Sequence, residues 1–480
     1  MNNDDIKNRA FSGFIWKFME KAGVQVLQIV IQIILARLLL PEDYGLIGLL
    51  TIFIAVSDIF IQYGFSTGLI QKKEVSEEHL SSVFYVNMAM SFVLYIVLYF
   101  CAPFVAKFYH EEELISLLRV LSLVLIIGAS FTVHNAILSR NLEYKKSFFR
   151  NILNLVTQGI VGIAMALNGF GVWSLVYSKL AGTLVGALVM YVTVRWYPKR
   201  VFSYDAVKSI FSFSSKLLGS YLLNCVYNNI HTIIIGRFFT KTDLGFYQRG
   251  QQIPQASISA IDGSLTEVLY AATSRIQDDL SKVKSGLRRS LKTSMFISLP
   301  ILLGLFAIAD TLTVVLLTEK WNGSIPFMRL ACIMCCFYPL SARTQALNAI
   351  GKSGTTFKVN LISKGLTVLF MLLFIPLGIY AIMSATILAY SIVFFVEQYF
   401  VKKYIDYSTG ELFKDLFITL MSTIIMAVAV YSVGLLFDNI YVRLIAQILI
   451  GIASYFGISI LLKNETLFYL VNFLKARNNI

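Results

Sequence analysis

The sequence predicts an all-α polytopic membrane protein of about fourteen transmembrane helices, built as two parallel-repeat six-helix lobes followed by a C-terminal helix pair. Three observations lead there. The 480-residue chain is 57% hydrophobic and only 14% charged, whereas a soluble domain carries about 25% charged residues. Apolar stretches recur that are long enough to cross roughly 30 Å of hydrocarbon as helices. Lipid offers backbone groups no partners and period-two alternation is absent, so helices are favoured over a barrel. Finally, ARLLLPEDYGL (36–46) returns as GRFFTKTDLGF (236–246). Arg37, Asp43 and Gly45 recur as Arg237, Asp243 and Gly245, with no gap.

Taken in order, spans one to three are expected at 14–40, 44–65 and 80–106. Pro41 ends the first, Asp43 can cap the second, and Gly45 permits tight packing. Arg37 lies within reach of Glu42 and Asp43 and can snorkel to the interface, which makes this hairpin a structural staple. Spans four to six fall at 114–138, 148–168 and 172–195, where Gly182 and Gly186 form a small-residue packing pair. Spans seven and eight fall at 210–237 and 244–271. The eighth is polar and broken by Pro254, so it must face protein or a water-filled cavity. Spans nine to twelve fall at 290–317, 325–350, 356–379 and 381–401, and the last two at 412–437 and 440–462.

Six crossings separate the two hairpin motifs, and an even number returns the second to the same face. Two weaker echoes keep the same order. GVWSL (171–175) opens span six and GIYAI (378–382) opens span twelve, while NAIL (135–138) and NAIG (348–351) end spans four and ten. The halves therefore read as parallel repeats, with lobes at 1–200 and 201–405 and the terminal pair at 406–480. Architectures of this kind place a substrate site between the lobes.

The net charge of +14 does not point to nucleic acid, because Lys and Arg gather in alternate connecting segments. Arg140, Lys145 and Lys146, then Lys199 and Arg200, then Arg288 and Arg289 lie on one side, which places both termini in the cytoplasm. No removable signal peptide is expected. No connection has room for a soluble catalytic domain, and no phosphate-binding loop motif is present. All five cysteines fall within spans, and Cys332-x-x-Cys335 lacks the partners of a redox or zinc site, so they read as packing residues. No cofactor or metal is expected. The basic segment 272–291 reads as a contact for anionic lipid headgroups.

Two polar stripes carry the chemistry. Lys17, Lys21, Gln25, Gln28 and Gln32 fall within about 80° of one face of span one. Lys216, Ser220, Asn224, Asn228 and His231 form a like stripe on span seven, within about 120° and at nearly the same repeat positions. Intramembrane lysines are costly, so such stripes either line a wet cavity or bond helices together. Arg249 and Arg343 lie at membrane depth, as do Asp58, Asp262 and Glu397, which could carry protons or sodium or serve as ion-pair partners. Basic groups predominate, so a cavity lined this way attracts an anion, and a pyrophosphate suits it through Arg and Lys hydrogen bonds.

The stretches ILARLLLPEDYGLIGL (34–49), GFGVWSLV (169–176) and GRFFTKTDLGFYQRGQQIP (236–254) carry a resemblance. Across essentially its whole length the chain resembles bacterial polysaccharide flippases of the multidrug/oligosaccharidyl-lipid/polysaccharide exporter superfamily. It is most similar to the O-unit, colanic acid and teichuronic acid exporter branch. The resemblance implies two six-helix lobes in a V with flanking helices. It also implies translocation of an undecaprenyl-pyrophosphate-linked oligosaccharide across the cytoplasmic membrane by alternating access. Lys17, Lys21 and Arg249 match the family's basic positions. Arg37 and Arg237, with Asp43 and Asp243, match a structural hairpin. Membrane lipids and polysaccharide polymerase machinery are the further partners implied. The alternatives are a flippase for a lipid-linked peptidoglycan precursor and, from another class, a membrane glycosyltransferase or polysaccharide polymerase.

Overall fold

The computed structural model describes the backbone of residues 23–62, 67–72, 74–274 and 279–478. It also describes their side chains except at 67, 212–217, 260–274, 471 and 473–478. Among the described residues there is no strand. The helices are α1 (Gly23–Leu38), α2 (Pro41–Ile61), α3 (Thr67–Gln71), α4 (Glu77–Tyr109), α5 (Leu114–Leu121), α6 (Leu123–Ala129), α7 (Thr132–Arg140), α8 (Tyr144–Leu167) and α9 (Trp173–Val194). They continue as α10 (Tyr204–Asn228), α11 (Ile230–Phe238), α12 (Lys241–Ser274), α13 (Leu280–Leu317), α14 (Ile325–Cys335), α15 (Ala342–Ala349), α16 (Ser353–Phe374), α17 (Ile379–Ile405), α18 (Thr409–Gly434), α19 (Ile440–Leu461) and α20 (Glu465–Asn478).

Helix ends follow local chemistry. Pro41 opens α2, where its missing N–H costs nothing, and Asp43 accepts from the Leu40 amide at 2.8 Å. Ser76, Ser203, Asp279, Ser408 and Asn439 cap α4, α10, α13, α18 and α19 with side-chain oxygens. His110, Arg195 and Asp406 stop α4, α9 and α17 in the left-handed conformation.

Among the described residues, ten segments are long and apolar enough to cross a membrane, or up to eleven when Leu114–Ala129 and Thr132–Arg140 are joined across their 40° bend. The chain is thus a multi-pass membrane protein. Helices also stand at the other expected positions, but α1 is short within the described residues, α11 has only nine residues, and α10 and α12 are not among the segments that qualify. Phe104 and Leu436, 74% and 76% exposed, belong to a broad set of outward apolar side chains of the kind lipid covers.

Some expectations are corrected. The fourth span is not one helix but α5, α6 and α7. The tenth breaks at a 3₁₀ turn, Tyr338–Ser341, and the seventh at Asn229, whose side chain donates to the Cys225 carbonyl at 2.9 Å. Pro254 does not break the eighth: α12 runs through it, as α4 runs through Pro103 and α13 through Pro300. Proline removes a single helical hydrogen bond, and packed membrane helices tolerate that loss.

Contacts divide the chain into a unit ending at Gly245 and a unit beginning at Phe246. In the first, α10 packs on α2, α3 and α4, so the seventh-span segment shares a core with the helices of the opening motif. Leu69, Val83, Phe84, Val133, Ala136 and Ile210 form part of that core. In the second, Val283, Leu287, Leu291, Leu347, Val401, Tyr407 and Leu412 join α13, α15, α17 and α18.

The two copies of the hairpin motif touch each other. A Cβ on Gly45 would lie 1.8 Å from the Lys241 carbonyl oxygen, and a Cβ on Gly245 would lie 1.9 Å from that of Pro41. Nearby, a Cβ on Gly236 would lie 2.1 Å from Leu49. Real Cβ atoms do not approach this closely, so glycine is obligatory at Gly45 and Gly245. Arg237 donates to His110 and lies over the Phe108 ring at 5.2 Å, and Lys241 pairs with Glu111 at 3.1 Å. GVWSL joins the same assembly, since a Cβ on Gly171 would sit 3.3 Å from the Asp43 carboxylate.

Gly45→Ala is expected to destabilise the purified protein by about 3 kcal/mol, the upper range for overpacking, because a backbone carbonyl cannot swing aside. Gly365→Ala, which meets open space on α16, should be neutral or slightly stabilising. Thermal melting in detergent checks both, and equal midpoints would remove the claim that this contact is tight.

Candidate functional site

A cavity of about 220 Å³ opens in the first unit between α2, α6 and α7, with α3 beside it. Its polar lining is Asp58 and Gln62 from α2, Thr132 beside the bend, and Asn135 and Ser139 from α7. The 40° bend makes the room, because it turns α7 away from the line of α5 and α6. Thr132 donates to the Ala129 carbonyl and accepts from Asn87 at 3.0 Å, which fixes the bend with one hydroxyl. Arg140 donates to the carbonyls of Leu69, Ile70 and Lys72, which end α3. An arginine here serves as a helix C-cap and holds α3 at the cavity edge.

Cations approach this cavity from α8 and α9. Arg150 donates to Asn135 and Asn151 and lies 5.7 Å from the Phe131 ring, so its guanidinium sits on the wall. Lys179 is the cation that acts on Asp58. Helices α8 and α9 approach closely because Gly182 and Gly186 face Asn154, where a Cβ on Gly182 would lie 2.8 Å from the Asn154 carbonyl. The pair expected from sequence as a packing feature is one. Also on α8, Gly159 receives Ile31 of α1, and Gly162 meets both Ser178 of α9 and Leu35 of α1. This turns the Gln25, Gln28 and Gln32 stripe onto the adjoining sector of α1, with Gln25 exposed and the other two half-buried.

The remaining expected site residues are distributed as follows. Lys17 and Lys21 lie outside the described residues, as do the side chains of Lys216 on α10 and Asp262 on α12. Asn224 and Asn228 are exposed on α10, and His231 is half-buried on α11. In the second unit Arg249 is 8% exposed. It donates to Gln252 and lies 5.8 Å from the ring of the fully buried Trp321.

Arg343 and Glu397 are brought together. Arg343 is 2% exposed and donates to Glu397 at 2.7 Å, to Gln398 at 3.1 Å, and to the Leu340 and Phe394 carbonyls. Thr344 donates to the second Glu397 oxygen. This guanidinium, expected on depth alone to meet substrate, is bonded to protein acceptors instead.

Sequence reasoning missed three participants. Arg140 was seen only as part of the charge pattern, and Trp321 carried no signal in its loop. Asn135 stood in the NAIL echo without a role. The bend that turns it toward Arg150 is not encoded locally, so no sequence signal could have found it.

The polysaccharide biosynthesis protein family model matches residues 34–326, more than half of the chain. The chain belongs to the polysaccharide biosynthesis protein family. Curated relatives include the teichuronic acid biosynthesis protein TuaB of Bacillus subtilis, 25% identical over 68% of each chain. The lipopolysaccharide biosynthesis protein WzxC of Escherichia coli is 22% identical over 68% of this chain and 67% of its own. The succinoglycan biosynthesis transport protein ExoT of Rhizobium meliloti is 24% identical over 71% and 69%. This family member has the fold of the lipid II flippase MurJ in an inward closed conformation, with a TM-score of 0.76 at 18% identity, over 95% of this chain and 100% of that one. An inward-facing multidrug resistance MATE family transporter follows at 0.63 and 16% identity, over 80% of this chain and 94% of that one.

Glu397→Ala is expected to cost about 3–5 kcal/mol by leaving Arg343 charged and unpaired in the interior, whereas replacing both residues by Met should recover most of it. Melting curves of the single and double variants decide this. A single variant as stable as the parent would show that the pair does not hold α15 to α17.

Proposed function

We propose that the protein is a flippase that carries an undecaprenyl-pyrophosphate-linked oligosaccharide from the cytoplasmic to the outer leaflet by alternating access, for surface polysaccharide assembly. The carrying observation is the family match over 34–326, with relatives named for teichuronic acid, lipopolysaccharide and succinoglycan biosynthesis, in a chain made of membrane-crossing helices. The longest described non-helical connection runs over 195–203, which gives a glycosyltransferase or polymerase no domain to work with.

In this proposal fourteen spans form lobes at 1–200 and 201–405 with a terminal pair at 406–480. Both termini are cytoplasmic, and the membrane is the bacterial inner membrane. Lys17, Lys21, Lys216 and Arg249 hold the pyrophosphate, while Gln25, Gln28, Gln32, Asn224, Asn228 and His231 line the path. Trp321 shields Arg249 until the path opens. The Asp58 cavity, flanked by Arg150 and Lys179, is the ion-coupling position, with Asp262 a second one. Arg343 and Glu397 brace the second unit. The likeness in fold to a lipid II flippase favours, as a second reading, a lipid-linked peptidoglycan precursor as cargo.

In vesicles loaded with a fluorescent undecaprenyl-pyrophosphate oligosaccharide, the parent protein should expose the label to an outside quencher. Lys21→Ala and Arg249→Ala should slow this at least tenfold while inserting normally. Full rates in both would remove the cationic site, and label transfer only with a peptidoglycan precursor would establish the second reading. A reporter fused after Lys146 should score as cytoplasmic, and an outside score would overturn the proposed orientation.

A further inference from the structure

The second unit contains a further cavity, of about 370 Å³, between the N-terminal half of α13 and the last helix, α20. Its lining is Ser285, Arg288, Arg289, Lys292, Glu465 and Tyr469, with two threonines. At 38 residues α13 is about 57 Å long at 1.5 Å per residue, well beyond roughly 30 Å of hydrocarbon. Its polar half (280–293) therefore extends past the apolar run that starts at Ser294, and the cavity lies at that boundary.

The cations around the cavity are not equivalent. Lys282 pairs with Asp279 at 3.1 Å, Lys284 with Glu411 at 2.9 Å, and Arg288 with Asp415 at 2.7 Å. Lys292 pairs with Asp415 at 3.3 Å and Glu465 at 3.0 Å. Among the described residues, Arg289 alone of this group has no carboxylate within ion-pair distance. Its guanidinium instead lies 3.6 Å from the Tyr469 ring centroid, a stacked geometry that orients the group and leaves its edge donors available. The Thr293 hydroxyl adds a donor beside it, while that of Ser285 donates to the Lys282 carbonyl at 2.9 Å and can only accept.

Helix α20 is fixed in place. Asn464 donates to Thr419 at 3.2 Å and accepts from the Thr466 amide, and Leu467 packs into the core formed with α13, α18 and α19. Exposed apolar side chains flank its start, with Leu461, Leu462 and Phe468 among them. A surplus cation, a threonine hydroxyl and apolar surface together at the polar–apolar boundary suit one class of ligand, an amphiphile with an anionic phosphate head.

We infer that the cavity between α13 and α20 binds the headgroup of an anionic phospholipid, with Arg289, stacked on Tyr469, as the phosphate-binding residue. None of its lining residues is among those proposed for transport. It needs only the membrane position of α13, so failure of the flippase proposal would leave it standing.

The test uses the full chain in nanodiscs of phosphatidylcholine doped with phosphatidylglycerol, released into native mass spectrometry to read retained lipid. The parent protein should keep phosphatidylglycerol in preference to phosphatidylcholine. Arg289→Ala should retain about fivefold less, the loss expected for one guanidinium at a bilayer surface. Arg289→Lys should fall between, since it keeps the charge but loses the stacked fork. Lys414→Ala removes an exposed cation from neighbouring α18 and should leave retention unchanged. Size exclusion and melting of each variant confirm folding. Three results would overturn the inference: equal retention in Arg289→Ala, an equal loss in Lys414→Ala, or displacement of the lipid by millimolar inorganic phosphate. The second would indicate general surface attraction, and the third a free-phosphate site.

Discussion

The approach of two backbones at Gly45 and Gly245 sets the terms for the rest of the first unit. Each glycine presents a Cα–H to a main-chain carbonyl, at Lys241 and Pro41 respectively, with no side chain between. Contacts of this kind are individually weak, but they recur where backbones pack tightly. Once made, the contact fixes where α2 begins relative to α11 and the start of α12. Secondary contacts then follow: Arg237 meets His110, Lys241 meets Glu111, and Gly171 backs onto the Asp43 cap. A hairpin two residues long thereby organises helices drawn from more than 200 positions of sequence.

Away from that contact, the recurrent problem is where an apolar chain puts its charge. Three arginines answer it differently. Arg343 is buried and saturated by a carboxylate, an amide and two carbonyls, a network in which every acceptor is protein. Arg140 uses its donors as the missing cap of a five-residue helix. Arg150 donates to asparagines, one of which, Asn135, lines the cavity. The same side chain acts as strut, cap and lining according to whether its acceptors are ionised, main-chain or neutral.

Much of this was legible in the sequence. Helical class, the membrane and the hairpin repeat followed from apolar run length and from two short motifs, because lipid imposes those patterns directly. The small pair Gly182 and Gly186 was equally readable, since small residues four apart have one common use between helices. The broken fourth span was not. Its apolar run from Leu114 is continuous, and the break depends on Thr132 meeting Asn87, 45 residues earlier, which no local pattern encodes. Pro254 misled in the opposite direction, because a proline signal assumes an unsupported helix and α12 is supported by its neighbours. The bonding of Arg343 was hidden for a related reason. Depth was readable, but Glu397, its partner 54 residues on, was read as a separate feature.

The contact between the two hairpins has one further property. Gly45 meets the carbonyl of Lys241, and Gly245 meets the carbonyl of Pro41, which is the residue equivalent to Lys241 in the other copy. Each surface thus offers its neighbour what it receives, as the two sides of an isologous dimer interface do. Both motifs therefore carry the same constraint: neither glycine can gain a side chain unless the other backbone moves.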